Sequence, residues 1–240
     1  VVATSSGYVQ AIDYEGLLCI ATERDAIFSV CHRAGDFITR GGALVRAFPA
    51  GRIAGADEAE IRQTFVVSDT RTEEQDLEYS VRQLVEVALR ALSPGINDPF
   101  TAINCIDWLG PAPSHLPAFG PPPATRHDEA GALRLRLDAL TFEGFADAAL
   151  EQIRQAGASQ VAVAIRMLDV LGTIAPQLAE PQEVRILMRH ADEVLEAALA
   201  ADPIANDRVA IADRPARTQR ALDRALRHLG EARPAHATSV

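Results

Sequence analysis

The residues best placed for chemistry lie between Arg82 and Thr101. Ser93, Asn97, Asp98 and Thr101 fall in one short stretch around Ser93-Pro94-Gly95-Ile96-Asn97-Asp98-Pro99, and Arg82 stands on the segment before it. A helix that restarts after this stretch would present free N–H groups and a partial positive charge, which suits a small anion or a carboxylate. Ser93, Asn97 and Thr101 would add hydroxyl and amide contacts, with Arg82 supplying charge. The competing role is purely architectural: Asp98 caps its own helix and the turn packs two helices. Asp98 already occupies the dipole end, so the architectural role is the stronger expectation.

A second constellation is Asp76, Glu78 and Arg82. Glu78 and Arg82 are i,i+4 neighbours on a helix. Asp76 would need a partner from elsewhere to bind a metal or act as an acid or base, so ion pairing is expected of all three. Arg166 and Asp169 are the only charges between Val161 and Leu171. If buried they must pair with each other or with neighbours such as Glu151 or Arg154. The six histidines show no HxxxH or HExxH spacing; His190 beside Asp192 and Glu193 fits a solvated helix face, and His127-Asp128-Glu129 sits in a loop. GxSxG, GxGxxG and Cys–His arrangements are absent. No catalytic residue, cofactor or metal site is therefore assigned. A metal-dependent hydrolase built on Asp76 and Asp98 is the least favoured reading.

Composition narrows the function classes further. All 23 basic residues are arginine, which excludes a P-loop lysine, a Schiff-base lysine and a biotinyl or lipoyl attachment point. The net charge of -10 argues against nucleic acid or an anionic membrane surface as the main partner. Cys19, Cys31 and Cys105 are odd in number and widely spaced, as expected of free thiols in a reducing compartment. No apolar run approaches the ~18 residues of a membrane helix, and no signal peptide is visible. The sequence opens on Val1-Val2 without an initiator methionine, so a preceding segment, a membrane anchor included, is an expectation.

The elements that must position these residues follow from pattern. Thr72 with Gln75 three residues on predicts a capping-box start, and Leu77, Val81, Leu84, Val85, Ala88 and Leu92 share a helical stripe. Ser93-Pro94-Gly95 ends that helix, with Gly95 expected in a left-handed turn, and Asp98-Pro99 starts the next as N-cap and first residue. Upstream, Gly7 to Ile12 and Ala26 to His32 predict strands, Asp13 caps a short helix, and glycines around Ala34 to Val45 mark turns. The turn Gly35-Asp36-Phe37 with Gly41-Gly42 and Leu44 resembles the turn of biotinyl/lipoyl-like barrel-sandwich modules, here without the lysine. A short helix is expected over Asp57 to Phe65 in an otherwise polar connection. Leu133, Leu135 and Leu137 predict one strand, either isolated or paired with the N-terminal sheet. Helices are expected over Phe142 to Ala156, from Ser159 and from Pro181, with a short one at Asp202-Pro203, a last one around Leu222, Leu226 and Leu229, and a frayed tail after Gly230. The predicted fold is α+β: a small β barrel or sandwich-like module over 1–56, then a mainly helical bundle over 57–240 with one or two short strands and a linker-like loop over 110–124.

The segment from Gln75 to Leu109 resembles the core of a bacterial family of predicted membrane proteins, domain-of-unknown-function family 2254. The residues that carry the likeness are Asp76, Arg82-Gln83-Leu84, the run Ala91-Leu92-Ser93-Pro94-Gly95-Ile96-Asn97-Asp98-Pro99 and Thr101-Ala102. Ser6 to Gln10 and Gly35-Asp36-Phe37 add to it. Members of that family carry several membrane helices before this region. The resemblance implies that this chain is the soluble C-terminal part of a membrane-anchored protein, on the cytoplasmic side if the spans are even in number and the N-terminus basic. Its expected partners are its own membrane-spanning region and further copies of itself as a homo-oligomer. Two functions follow as expectations: a non-catalytic oligomerisation, interaction or regulatory module, or a small-anion-binding sensory domain gating the membrane part.

Overall fold

A computed structural model describes residues 1–119 and 122–231. By contacts the chain divides into two compact units, Val1–Ser80 with Gly120–Leu140, and Val81–Phe119 with Thr141–Val240. The fold is α+β, with small sheets in the first unit and helices in the second.

Unit one holds β1 (Gly7–Ile12), α1 (Tyr14–Glu23), β2 (Ile27–Val30), β3 (Phe37–Ile38), β4 (Val45–Phe48), α2 (Gly55–Gln63) and β5 (Phe65–Ser68). The strands form two open sheets, not a closed barrel. One is antiparallel in the order β3-β1-β5, with Tyr8 opposite Phe37 and Ile12 opposite Phe65. Alternation on β1 turns Val9 inward, and the bulge between Val9 and Ala11 resets the register so that Ile12 faces the same core, which Leu17, Phe28, Ile38, Ile61 and Leu135 complete with fully buried side chains. Each such aliphatic or aromatic side chain contributes roughly 1.5–3 kcal/mol. Asp13 caps α1 by accepting a hydrogen bond from the Gly16 N–H at 2.9 Å.

The boundary expected at residue 56 does not coincide with this division. β5 lies past it yet pairs with β1, and a later segment returns to the sheets: β6 (Thr125–His127) and β7 (Leu133–Arg136) extend the second sheet, in the order β4-β2-β7-β6. The strand expected at Leu133 pairs parallel to β2, with Phe28 opposite Leu135, and antiparallel to β6. The linker expected over 110–124 is partly ordered, with a helical turn at Ala112–His115 (α5); its residues 120–121 lie outside the described ones.

The helix expected from Thr72 begins later, at Tyr79, as α3 (Tyr79–Ala91). The would-be capping residues are engaged elsewhere. Gln75 accepts from the Ile12 N–H at 3.0 Å and donates to the Ile12 carbonyl at 3.3 Å, so its amide mimics a strand partner at the end of β1. The Asp76 carbonyl accepts from the Tyr79 N–H, and its carboxylate accepts from the Glu78 N–H.

Unit two continues with α4 (Pro99–Leu109), α6 (Phe142–Gly157), α7 (Val161–Ile174), α8 (Pro181–Ala200) and α9 (Ala205–Glu231). α7 packs against α4, α6, α8 and α9 and buries Val163, Met167, Leu168, Leu171 and Ile174. A helix apolar on most of its faces belongs in that central position. Gly110 permits the approach of α4 to α7, since a β-carbon there would collide with Val170. The short helix expected at Asp202-Pro203 and the last helix expected around Leu222, Leu226 and Leu229 are one continuous α9, which runs through Pro215. Tertiary bonds hold it there: Thr218 donates to the Leu168 carbonyl at 2.8 Å, and Arg214 pairs with Asp169 at 2.9 Å. The tail, apart from Glu231, lies outside the described residues. Among the described residues no helix is long and apolar enough to cross a membrane.

Candidate functional site

The bend between α3 and α4 gathers Ser93, Asn97, Asp98 and Thr101. Its backbone closes on itself: the Ser93 carbonyl accepts from the Ile96 and Asn97 N–H groups, and the Ala91 carbonyl accepts from the Asp98 N–H at 2.8 Å. The left-handed residue is Asn97, with φ of 48°, not Gly95. Asparagine tolerates this conformation, and its side-chain oxygen accepts from Gln160 at 2.9 Å, which ties the bend to the start of α7.

Asp98 fills the end of α4. One carboxylate oxygen accepts from the Phe100 and Thr101 N–H groups, each at 3.1 Å, and the other accepts from the Thr101 hydroxyl at 2.6 Å. The Thr101 hydroxyl, and then the two N–H groups, hold the Asp98 carboxyl below its ordinary range. The Ser93 hydroxyl donates back to the Arg90 carbonyl at 2.7 Å. Arg82 is on the exposed face of α3, nine residues before Ala91. At 1.5 Å per residue that is roughly 14 Å back along the helix axis. The structure therefore brings four of the five residues together, sets Arg82 apart along the helix, and satisfies the four with one another, with the backbone and, for Asn97, with Gln160.

A more deeply buried charge cluster lies in unit one. Asp76 and Glu78 are 5% and 4% exposed. Arg71 donates to Asp76 from Nε at 2.9 Å, and its terminal nitrogen also contacts the same carboxylate. Arg33 donates to Glu78 at 2.8 Å. Gly35 passes beside the Arg71–Asp76 pair at φ of 92°. Asp36 accepts from the Arg33 N–H at 2.9 Å, and His32 stands 3.6 Å from its carboxylate. Sequence spacing missed Arg33 and Arg71, because Arg33 comes from a different strand connection and Arg71 from an irregular one. Gly35 before Asp36 was the available signal, as a residue that tolerates φ > 0.

Beside the start of α1 is an open cleft of about 450 Å³ lined by Asp13, Tyr14, Glu15, Thr64, Gln75 and Arg126. Arg126 is paired with Glu15 at 2.5 Å and lies 5.4 Å from the Tyr14 ring centroid. Burial raises the Tyr14 hydroxyl above its usual range, against the opposing influence of Arg126. Arg126 and Glu15 thus neutralise each other, and Asp13 is engaged as the α1 cap.

In unit two, His190 is buried at 1% exposure rather than solvated. Its ring lies 3.1 Å from Asp147 and 3.9 Å from Glu193, and Arg189 joins the same two acids. Burial first, and Arg189 next, push the imidazole below its ordinary range. Arg166 and Asp169 pair neither with each other nor with Glu151 or Arg154: Arg166 bonds to Asp107 and Asp169 to Arg214. Neighbouring helices supply both partners, which an i,i+3 reading of one helix cannot reveal. Asp128, in the loop after β6, is bound by Arg134 at 2.7 Å. Among the described residues no group of three or more His, Cys, Asp and Glu side chains is arranged to hold a metal ion. The carboxylates at both candidate sites are held by arginines or by a helix start, an arrangement that fixes geometry.

Comparison with known proteins gives a consistent picture. A family model described as a predicted membrane protein, DUF2254, matches residues 1–173. An uncharacterised protein of Mycobacterium bovis is 29% identical over 226 residues, covering 92% of this chain and 43% of the relative. An uncharacterised protein of Mycobacterium tuberculosis matches to the same extent. The chain thus spans less than half the length of these relatives. No solved structure matches.

Proposed function

The chain belongs to the DUF2254 family of predicted membrane proteins, and from that premise we propose that it is a non-catalytic module of an integral membrane protein. On this reading it lies on the cytoplasmic side and acts by contact with the membrane-spanning region or by self-association. The observation that carries the proposal is the internal engagement of Asp98. Its carboxylate takes up the N–H groups that an anion or substrate would need at the start of α4. The buried acids Asp76 and Glu78 are likewise tied to arginines. Groups so engaged position elements of the fold rather than activate water.

Three measurements test the reading. Reporter fusions at the C-terminus of the full-length protein should give a fluorescent, cytoplasmic product; an active periplasmic reporter overturns the location. A thermal-shift screen of this chain with phosphate, sulfate and small carboxylates should show no stabilisation. A shift that Arg82→Ala abolishes would replace the proposal with an anion-sensing domain. Light scattering on the purified chain tests self-association, and a clean monomer at high concentration removes that part.

A further inference from the structure

Residues 99–109 carry one charged side chain, Asp107, and it is paired with Arg166. A helix this apolar is expected to be covered on all sides. One face of α4 is: Ala102, Cys105, Ile106 and Leu109 are buried. The other is open. Phe100 is 76% and Trp108 77% exposed, eight residues apart on one stripe, and Ile96 in the preceding bend is 62% exposed. Asn104 between them is exposed as well.

We propose that this stripe seats α4 on the headgroup–acyl boundary of a lipid bilayer, with Phe100 and Trp108 as interfacial anchors. The inference rests on the membrane-protein reading above and names the surface through which the module meets the membrane. Three observations favour a bilayer over a second copy of the chain. The first is area. Two aromatics at three-quarters exposure present at most roughly 400 Å², half of the ~800 Å² that each partner contributes to a standard protein interface. A lipid boundary needs no such complementary patch. The second is residue type: an indole has an apolar body and one N–H, which suits a boundary that is oily on one side and wet on the other. The third is charge. The chain as a whole carries -10, but the one acid on α4 is neutralised by Arg166, so the stripe meets a zwitterionic surface without repulsion. Binding at such a boundary strengthens with the apolar area it buries.

Trp108 is the only tryptophan in the chain, so its fluorescence reports on the stripe directly. Phosphatidylcholine vesicles added to the purified chain should shift its emission to the blue, and lipids brominated on the acyl chain should quench it. Phe100→Ser should weaken partitioning roughly tenfold or more, and Trp108→Ser should do the same by vesicle flotation, both with unchanged far-ultraviolet dichroism. An unshifted emission at saturating vesicles overturns the inference. So does a blue shift that follows protein concentration without lipid, which would assign the stripe to a second copy. Fractionation of the full-length protein separates the two failures. A membrane-bound protein whose Trp108 ignores vesicles refutes the docking stripe alone, and a full-length protein in the soluble fraction refutes the reading beneath it.

Discussion

Gly35 and Asp76 approach so closely that a β-carbon on Gly35 would collide with the Asp76 carboxylate and stand 2.6 Å from an Arg71 guanidinium nitrogen. The backbone at Gly35 is also left-handed, at φ of 92°. The glycine turn and the Arg71–Asp76 pair are therefore one packed unit, although 41 residues of sequence separate Gly35 from Asp76.

Gly35→Ala should accordingly destabilise the chain by roughly 2–4 kcal/mol, from backbone strain and displacement of a buried pair together. Urea unfolding followed by circular dichroism reads this directly. An alanine variant within half a kcal/mol of the parent would show that the pair and the turn are independent.

Asp98 makes the acid stability of α4 measurable. Its folded carboxyl is depressed by hydrogen bonds from Thr101 and Phe100. A depressed acid contributes stability above its unfolded pKa and loses that contribution as pH falls through the folded one. The loss should begin near the ordinary carboxylate range of about 4 and deepen below it. Asp98→Asn should retain most of the cap at neutral pH, since asparagine caps helices well, and should remove this part of the acid sensitivity. Asp98→Ala should lower the thermal midpoint at pH 7. Melting curves of the three proteins at pH 7 and pH 3 are the check.

His190 should act at a higher pH. The groups around it are Asp147 and Arg154 from α6, and Arg189 and Glu193 from its own helix. The acids favour the imidazolium, but burial and the arginines prevail and the folded pKa is lowered. The unfolded chain then binds the proton more readily, so stability falls as pH drops below about 6.5 towards the folded value. His190→Gln should flatten the dependence of the urea midpoint between pH 7.5 and pH 5.5. An unchanged slope in that variant would assign the dependence to other groups.

Local chemistry was legible without coordinates. Asp13 and Asp98 as caps, Pro99 and Pro181 at first helical positions, the helix from Phe142 and the apolar α7 all declare themselves over a few residues, because capping and periodicity are satisfied within one or two turns of chain. The α+β class and the grouping of Ser93, Asn97, Asp98 and Thr101 follow from the same signals. What failed was wherever a side chain had a remote partner. Thr72 to Glu78 carries a capping-box pattern, yet Gln75 serves the end of β1 and the helix waits until Tyr79. A short helix at Asp202-Pro203 and a separate one around Leu222 are expected, yet α9 is continuous through Pro215, held by contacts with α7.

By itself the sequence determined the caps and first residues of helices whose signals are local, such as Asp13, Asp98 and Pro181, which stripes turn inward and, through the absence of lysine, which chemistries this chain cannot perform. Only the tertiary structure decided that β7 returns to lie beside β2, that His190 is enclosed, that Arg71 and Arg33 hold the two buried acids, and that the aromatic side of α4 is left uncovered. The physical reason is the range of the forces. A cap or a helical stripe is fixed by neighbours three or four residues away, whereas charge neutralisation and burial are settled by whatever the folded chain brings alongside.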